Sequence, residues 1–245
     1  ELGPVGFMPE DPEILGDALE KFDLELIGGV VFRAYHDEKQ WEDVLDGTHR
    51  TCKALVAHGA KHLVLIDSIS ERRAPTAGRV NEAEQMSKEE WSSYRERITT
   101  SARIGAEEYG LTVGIHAHAA GFMDFEPELE RLLSEVDEEI LKICFDTGHH
   151  SYAGFDPVEF MQKYISRISY MHFKDIDPKV KQKVLDNRTG FYDACGQGIF
   201  CNLGDGDVDF PTVRKILLEN NFEGWCTVEQ DCDPLLDPNP LSDAQ

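Results

Sequence analysis

The sequence predicts a parallel α/β fold, and within that class a (β/α)8 TIM barrel. Three observations carry the prediction. Short apolar, β-branched runs alternate with amphipathic helical segments along the chain, which is the pattern of βαβ units. The runs are nearly continuous in apolar residues, as strands covered on both faces must be. Polar residues stand at the carboxyl ends of at least four successive runs, where a barrel builds its active site. An open doubly wound sheet is the competing form. No glycine-rich phosphate loop follows the first run, which weakens its dinucleotide-binding version.

Each element has its own grounds. Glu1–Phe7 reads as the end of a strand and its loop. Asp11-Pro12 opens a helix with Ile14, Leu15, Ala18, Leu19 and Phe22 at helical spacing. Leu24 to Phe32 is a buried strand. Trp41, Val44, Leu45, Thr48, Cys52, Leu55 and Val56 mark a helix that stops near Gly59. His62 to Ile66 is a strand ending in Asp67. Residues 68–86 form a long polar loop, read as a lid or substrate loop. Its Arg72, Arg73 and Arg79 either bind an anion or face water, as loop arginines usually do. Ser87 with Glu90 is a capping box, and its helix runs through Trp91 and Ile98 to Gly110.

Leu111 to Ile115 is a strand ending in His116-Ala117-His118. A helix follows from Glu126-Pro127 through Leu133. Ile143 to Phe145 is a short strand that ends in Asp146, with Gly148 turning the backbone toward His149. Asp156-Pro157 opens another helix. Ile168 to Met171 is a strand ending in His172-Phe173-Lys174-Asp175. Residues 176–208 read as a long glycine-containing connection. A helix with Val213 and Ile216 precedes the last strand, Trp225 to Val228, which ends in Glu229-Gln230-Asp231.

No linker splits the chain, so residues 1–234 are expected to form one barrel domain and 235–245 a loose tail. Seven strands are counted where a barrel needs eight. The expectation is that these are strands two to eight, with a first β/α unit preceding Glu1.

A net charge of −23 over 245 residues argues against nucleic acid and anionic membranes as partners. The six cysteines form no CxxC pair, and no leader or long apolar span is apparent, which points to a reducing, cytoplasmic setting.

The strand ends make the candidate site. Residues two apart on a strand point the same way, so His116 with His118, His172 with Lys174, and Glu229 with Asp231 can each face one mouth. Singly, each has a structural reading: a hydrogen-bonded histidine, a capped turn at Asp146, an acidic surface turn at Glu229. Together, nitrogens and carboxylate oxygens around one point suit a divalent ion of borderline softness.

The chain resembles the xylose-isomerase-like barrel family of sugar isomerases and epimerases, and most of all its keto-inositol-dehydrating branch. The matching pieces are His116-Ala-His118, Phe145-Asp-Thr-Gly-His149, 167–175, 198–210 and 224–234. The resemblance implies one divalent metal, Mn²⁺ or Co²⁺ before Fe²⁺ or Zn²⁺, held by Asp146, His172, Glu229 and, at the fifth strand, His116. The epimerases carry glutamate at that last place, so whether His116, His118 or neither is the ligand stays open. Two carboxylates rather than three leave the ion a stronger Lewis acid, which favours an elimination.

The expected reaction is dehydration of a small keto-polyol, 2-keto-myo-inositol first, with Glu229, Lys174 or His118 as base. His149, Asp67 and Glu1 are expected to contact substrate. Rival readings are a ketose 3-epimerase or aldose–ketose isomerase, an abasic-site endonuclease, which the charge disfavours, and a non-catalytic binding protein. Pairing into a homo-oligomer is a further expectation of the resemblance.

Overall fold

The computed structural model describes residue 9 and residues 11–232. Glu1, the predicted strand at Glu1–Phe7 and the 235–245 tail lie outside the described residues. Six parallel strands form one curled sheet: β1 (Gly28–Arg33), β2 (His62–Asp67), β3 (Thr112–His116), β4 (Lys142–Asp146), β5 (Ile168–Phe173) and, after two short strands, β8 (Trp225–Val228). Their spatial order, β1-β2-β3-β4-β5-β8, follows the chain, as in an incomplete (β/α)8 barrel. All six were legible as apolar runs.

Helices α1 (Pro12–Phe22), α2 (Trp41–Ala57), α3 (Lys88–Arg103) and α4 (Glu126–Glu135) flank the first half of the sheet; α5 (Thr147–Tyr152), α6 (Pro157–Tyr164) and α9 (Phe210–Glu219) belong to the second. Their starts are chemically specified. Asp11 and Asp156 each accept two backbone N–H groups of the turn that follows, and a proline sits at the first helical position of both. Ser87 and Glu90 form the expected capping box.

Alternation along the strands divides two apolar layers. Leu63, Leu65, Val113, Ile115, Ile143, Phe145 and Met171 face the helices in the main core. Val30, Val64, Ile66, Cys144 and Tyr170 form a second cluster inside the curl. The inward set continues upward into His116, Asp146 and His172, which are aligned by register: Ile66 is paired with His116, and Asp146 with His172.

The 176–208 connection is more structured than its glycines suggest. It holds α7 (Pro178–Asp186) and α8 (Phe191–Gly196), while β6 (Asp175–Ile176) pairs antiparallel with β7 (Phe200–Cys201). These pieces build a small core from Ile176, Val184, Phe191, Ala194, Ile199 and Phe200 with Ala119, Ala120 and Tyr152.

The 68–86 loop is likewise tied down, and its arginines pair with groups of the chain itself, Arg72 remaining partly in water. Arg73 is buried and pairs with Glu128 at 2.8 Å. Arg72 pairs with Glu84 and Glu90, and Arg79 with Glu82 and the Pro75 carbonyl. In so acidic a chain, carboxylates supply the partners.

Candidate metal centre and its surroundings

Three buried side chains meet where β3, β4 and β5 leave the sheet. His116 Nε2 lies 3.4 Å from Asp146 Oδ2, and His172 Nδ1 lies 3.9 Å from the same oxygen. One ligand atom from each of the three lies within 4.8 Å of the others. After β8 the chain adds Glu229, whose Oε2 is 3.4 Å from His172 Nδ1 and whose side chain keeps 31% exposure. The β8 edge is open among the described residues, which leaves Trp225 and Val228 exposed as well.

The two oxygens of Asp146 do different things. Oδ1 accepts the His149 N–H at 2.8 Å and caps α5. Oδ2 is buried and makes no hydrogen bond. Its nearest nitrogens, His116 Nε2 at 3.4 Å and Lys174 Nζ at 3.5 Å, make only long contacts, and a carboxylate oxygen stripped of water and so weakly served is costly. A cation bound among His116, Asp146 and His172 removes that cost, and two imidazoles with a carboxylate suit a divalent ion of borderline softness. The residues therefore fit the metal expected from the sequence. Burial alone would raise the Asp146 carboxyl; Lys174, His149 and His116 outweigh it and hold the group well below the usual carboxylate range.

Lys174 stands beside this cluster, fully buried. Its Nζ lies 3.0 Å from Asp231 Oδ2, 3.3 Å from Glu229 Oε2 and 3.5 Å from Asp146 Oδ2. Burial would lower it, but these three carboxylates keep the ammonium charged above its ordinary range. His149 Nδ1 accepts the Ala119 N–H at 3.1 Å, so the neutral ring carries its proton on Nε2. That nitrogen faces Lys174 Nζ at 3.2 Å and Asp231 Oδ2 at 3.8 Å. Asp231 Oδ2 accepts from Lys174 at 3.0 Å and stands beyond hydrogen-bond reach of His149. Burial, reinforced by Lys174 and His118, holds the His149 imidazole well below its ordinary value and hence neutral.

His118 is placed apart from the metal cluster. Its Nδ1 is 2.9 Å from the Ala119 carbonyl, and its ring lies 4.1 Å from that of His149. Of the two fifth-strand candidates, His116 is the one in the ligand group. Burial, then the neighbouring His116 and Lys174, bring the His118 imidazole down to about 3.

Asp67 is tied elsewhere. Its Oδ2 accepts the Phe122 N–H at 2.8 Å, and its Oδ1 takes both the amide and the ring Nδ1 of His36 at 3.1 and 2.8 Å. It fastens the loops after β1 and β3 to the end of β2.

Sequence reasoning missed the aromatic side of the site. Phe191 from α8 packs 5.4 Å from His118, and Phe200 from β7 packs 5.3 Å from His149 and 5.0 Å from Lys174 Nζ. Both sit in the connection read as irregular, where no periodicity pointed at the mouth. Gly148 was also misread. Its φ is not positive; it is glycine because a Cβ would fall 2.7 Å from both Cβ and Cγ of Lys174.

Residues 4–245 match the model of a known family, described as the xylose isomerase-like TIM barrel. The chain belongs to the xylose isomerase-like TIM-barrel family. Within it, the chain is similar to a curated protein named inosose dehydratase from Clostridium botulinum (strain Alaska E43 / Type E3), 32% identical over 238 residues, which spans 95% of this chain and 78% of that one. It is similar also to the rhizopine catabolism protein MocC of Rhizobium meliloti, 30% identical over 241 residues, covering 96% of this chain and 70% of that one. Among solved structures, the IolI protein, whose crystal structure carries a bound zinc atom, aligns with a TM-score of 0.70 at 18% identity, covering 96% and 80% of the two chains. That likeness concerns the barrel fold.

Proposed function

We propose that this xylose isomerase-like barrel is a divalent-metal-dependent hydro-lyase that removes water from a keto-polyol, 2-keto-myo-inositol foremost. The observation that carries the reading is the buried His116–Asp146–His172 cluster with Glu229 and Lys174 against its side. The relatives named inosose dehydratase support the substrate class. In this reading His116, Asp146, His172 and Glu229 hold the ion, Mn²⁺ or Co²⁺ by preference. When bound, the ion would supply Lewis acidity to the substrate carbonyl, stabilising the charge that develops as the α-proton leaves.

The chain's own groups handle the protons. Glu229 takes the proton from the α-carbon, and the β C–O bond breaks as the ammonium of Lys174 delivers a proton to the departing hydroxyl, which leaves as water. Glu229 Oε2 and Lys174 Nζ are 3.3 Å apart, so the captured proton can pass directly to the lysine and restore both groups. Neutral His149, with Nε2–H fixed by the Ala119 amide, donates to a substrate oxygen. His118, Phe191 and Phe200 keep water from the far side of the site. A cytoplasmic setting belongs to this proposal; among the described residues no helix is long and apolar enough to cross a membrane.

The test is incubation of metal-loaded protein with 2-keto-myo-inositol. The expected product has lost one water and absorbs as an enone; a product of unchanged mass would make the protein an isomerase or epimerase instead. Glu229→Gln is expected to lower kcat by at least about 100-fold. An unchanged rate at full metal content would remove Glu229 from the mechanism.

A further inference from the structure

Between β5 and β6, Lys174 lies outside both ladders, yet its backbone is held. Thr147 Oγ1 donates to the Lys174 carbonyl at 2.7 Å and accepts from the Lys174 N–H at 3.0 Å. One hydroxyl thus satisfies both main-chain groups of a residue that is 2% exposed, and Thr147 itself is 0% exposed. Next to it, the missing side chain of Gly148 leaves the space that Lys174 Cβ and Cγ fill, since an added Cβ would sit 2.7 Å from each. Beyond that contact the lysine stem ends with Nζ among Asp146, Glu229 and Asp231.

We propose that Thr147 and Gly148, the two residues between Asp146 and His149, are positioning residues that seat Lys174 for proton delivery: the threonine clamps its backbone and the glycine admits its stem. The inference rests on the assignment of Lys174 as proton donor. It adds to that assignment the reason why a threonine and a glycine occupy these places. Neither residue touches the reacting atoms. They act through Lys174, whose ammonium must sit within about 3 Å of the departing oxygen. Valine at 147 fills similar space but offers nothing to the Lys174 N–H and C=O; serine keeps both bonds.

The experiment compares wild type with Thr147→Val, Thr147→Ser and Gly148→Ala in two readouts. Turnover of 2-keto-myo-inositol at measured metal content gives kcat and KM separately. Reductive methylation with peptide mapping gives the labelling rate of Lys174. In Thr147→Val, kcat is expected to fall on the order of 100-fold while KM stays within about threefold and metal content is unchanged. Thr147→Ser restores most of the loss. Lys174 labelling rises at least about tenfold in Thr147→Val and Gly148→Ala as the seat loosens, with the other lysines unaffected. Wild-type kcat in Thr147→Val, or unchanged Lys174 labelling in both variants, overturns the proposal. If Thr147→Val does not fold, Gly148→Ala decides by the same two measures. Should wild type prove inert on keto-inositols, the dehydratase reading fails, and labelling alone decides whether the seat exists.

Discussion

Asp124 shows how a residue remote from the chemistry bears on it. It is 2% exposed; its Oδ2 accepts the Ala120 N–H at 3.0 Å, and its Oδ1 makes no hydrogen bond. It therefore holds the turn whose Ala119 amide fixes the His149 ring. Burial pushes its carboxyl up to about 7. The folded state then keeps a proton that the unfolded chain releases near pH 4, so this group's stabilising contribution is fully present below that pH and is lost as pH rises to about 7. Between pH 5 and pH 7 the wild type should lose about 2 kcal/mol relative to Asp124→Asn, which does not titrate. Denaturant melts of both proteins at the two pH values measure it; parallel behaviour would refute the assignment. Residues of this kind were not legible in the sequence, because Asp124 follows a strand-end loop with nothing to mark it as buried. The candidate metal cluster of His116, Asp146 and His172 was legible, because each terminates an apolar run and polar atoms there must face a mouth.

At the scale of elements, the 200–208 segment depends on one carboxylate. Asp175, fully buried, accepts the N–H groups of Ile176, Gly204, Gly206 and Val208 at 2.8–3.1 Å. Gly206 is obligatory there, since a Cβ would meet Asp175 Oδ1 at 2.2 Å. Replacing Asp175 with Asn turns a donor toward at least one of these amides and should cost about 2 kcal/mol or more. Equilibrium unfolding checks the loss, and a ΔΔG near zero would show that the loop finds other acceptors. The same loop explains the limit of the sequence reading. Two-residue strands such as β6 and β7 carry no periodicity, and α8 spans six residues, too few for a helical pattern to repeat. What orders them lies far along the chain: β6 and β7 pair with each other, and α8 packs Phe191 and Ala194 against Ile176, Tyr152 and Phe200. Longer elements were readable because caps and apolar spacing are local: the Asp-Pro starts of α1 and α6 and the capping box of α3 stand in the sequence as they stand in the structure.

For the whole molecule, the candidate ligands come from β3, β4, β5 and the segment after β8, so one ion would tie together strands already joined by ladders, core and the Lys174 ion pairs. Binding to the folded state alone adds about 2.7 kcal/mol when free metal is 100 times its Kd. For a chain of this size that corresponds to a Tm rise of roughly 5–10 °C. Thermal melts with Mn²⁺ or Co²⁺ and after chelation test it, and a melting temperature indifferent to both would deny the centre. The barrel class itself was readable because parallel strands covered on both faces leave continuous apolar runs, and the family match over residues 4–245 agrees.

Asp146 faces in two directions at once, toward the first turn of α5 and toward the candidate ion site. That constrains what evolution or an engineer can place there. Asparagine retains the cap but forfeits the anion; glutamate retains the anion but, one methylene longer, overshoots the amide; alanine surrenders both. Asparagine therefore separates the two duties of this candidate ligand, whereas glutamate or alanine would also unsettle the imidazole three residues on.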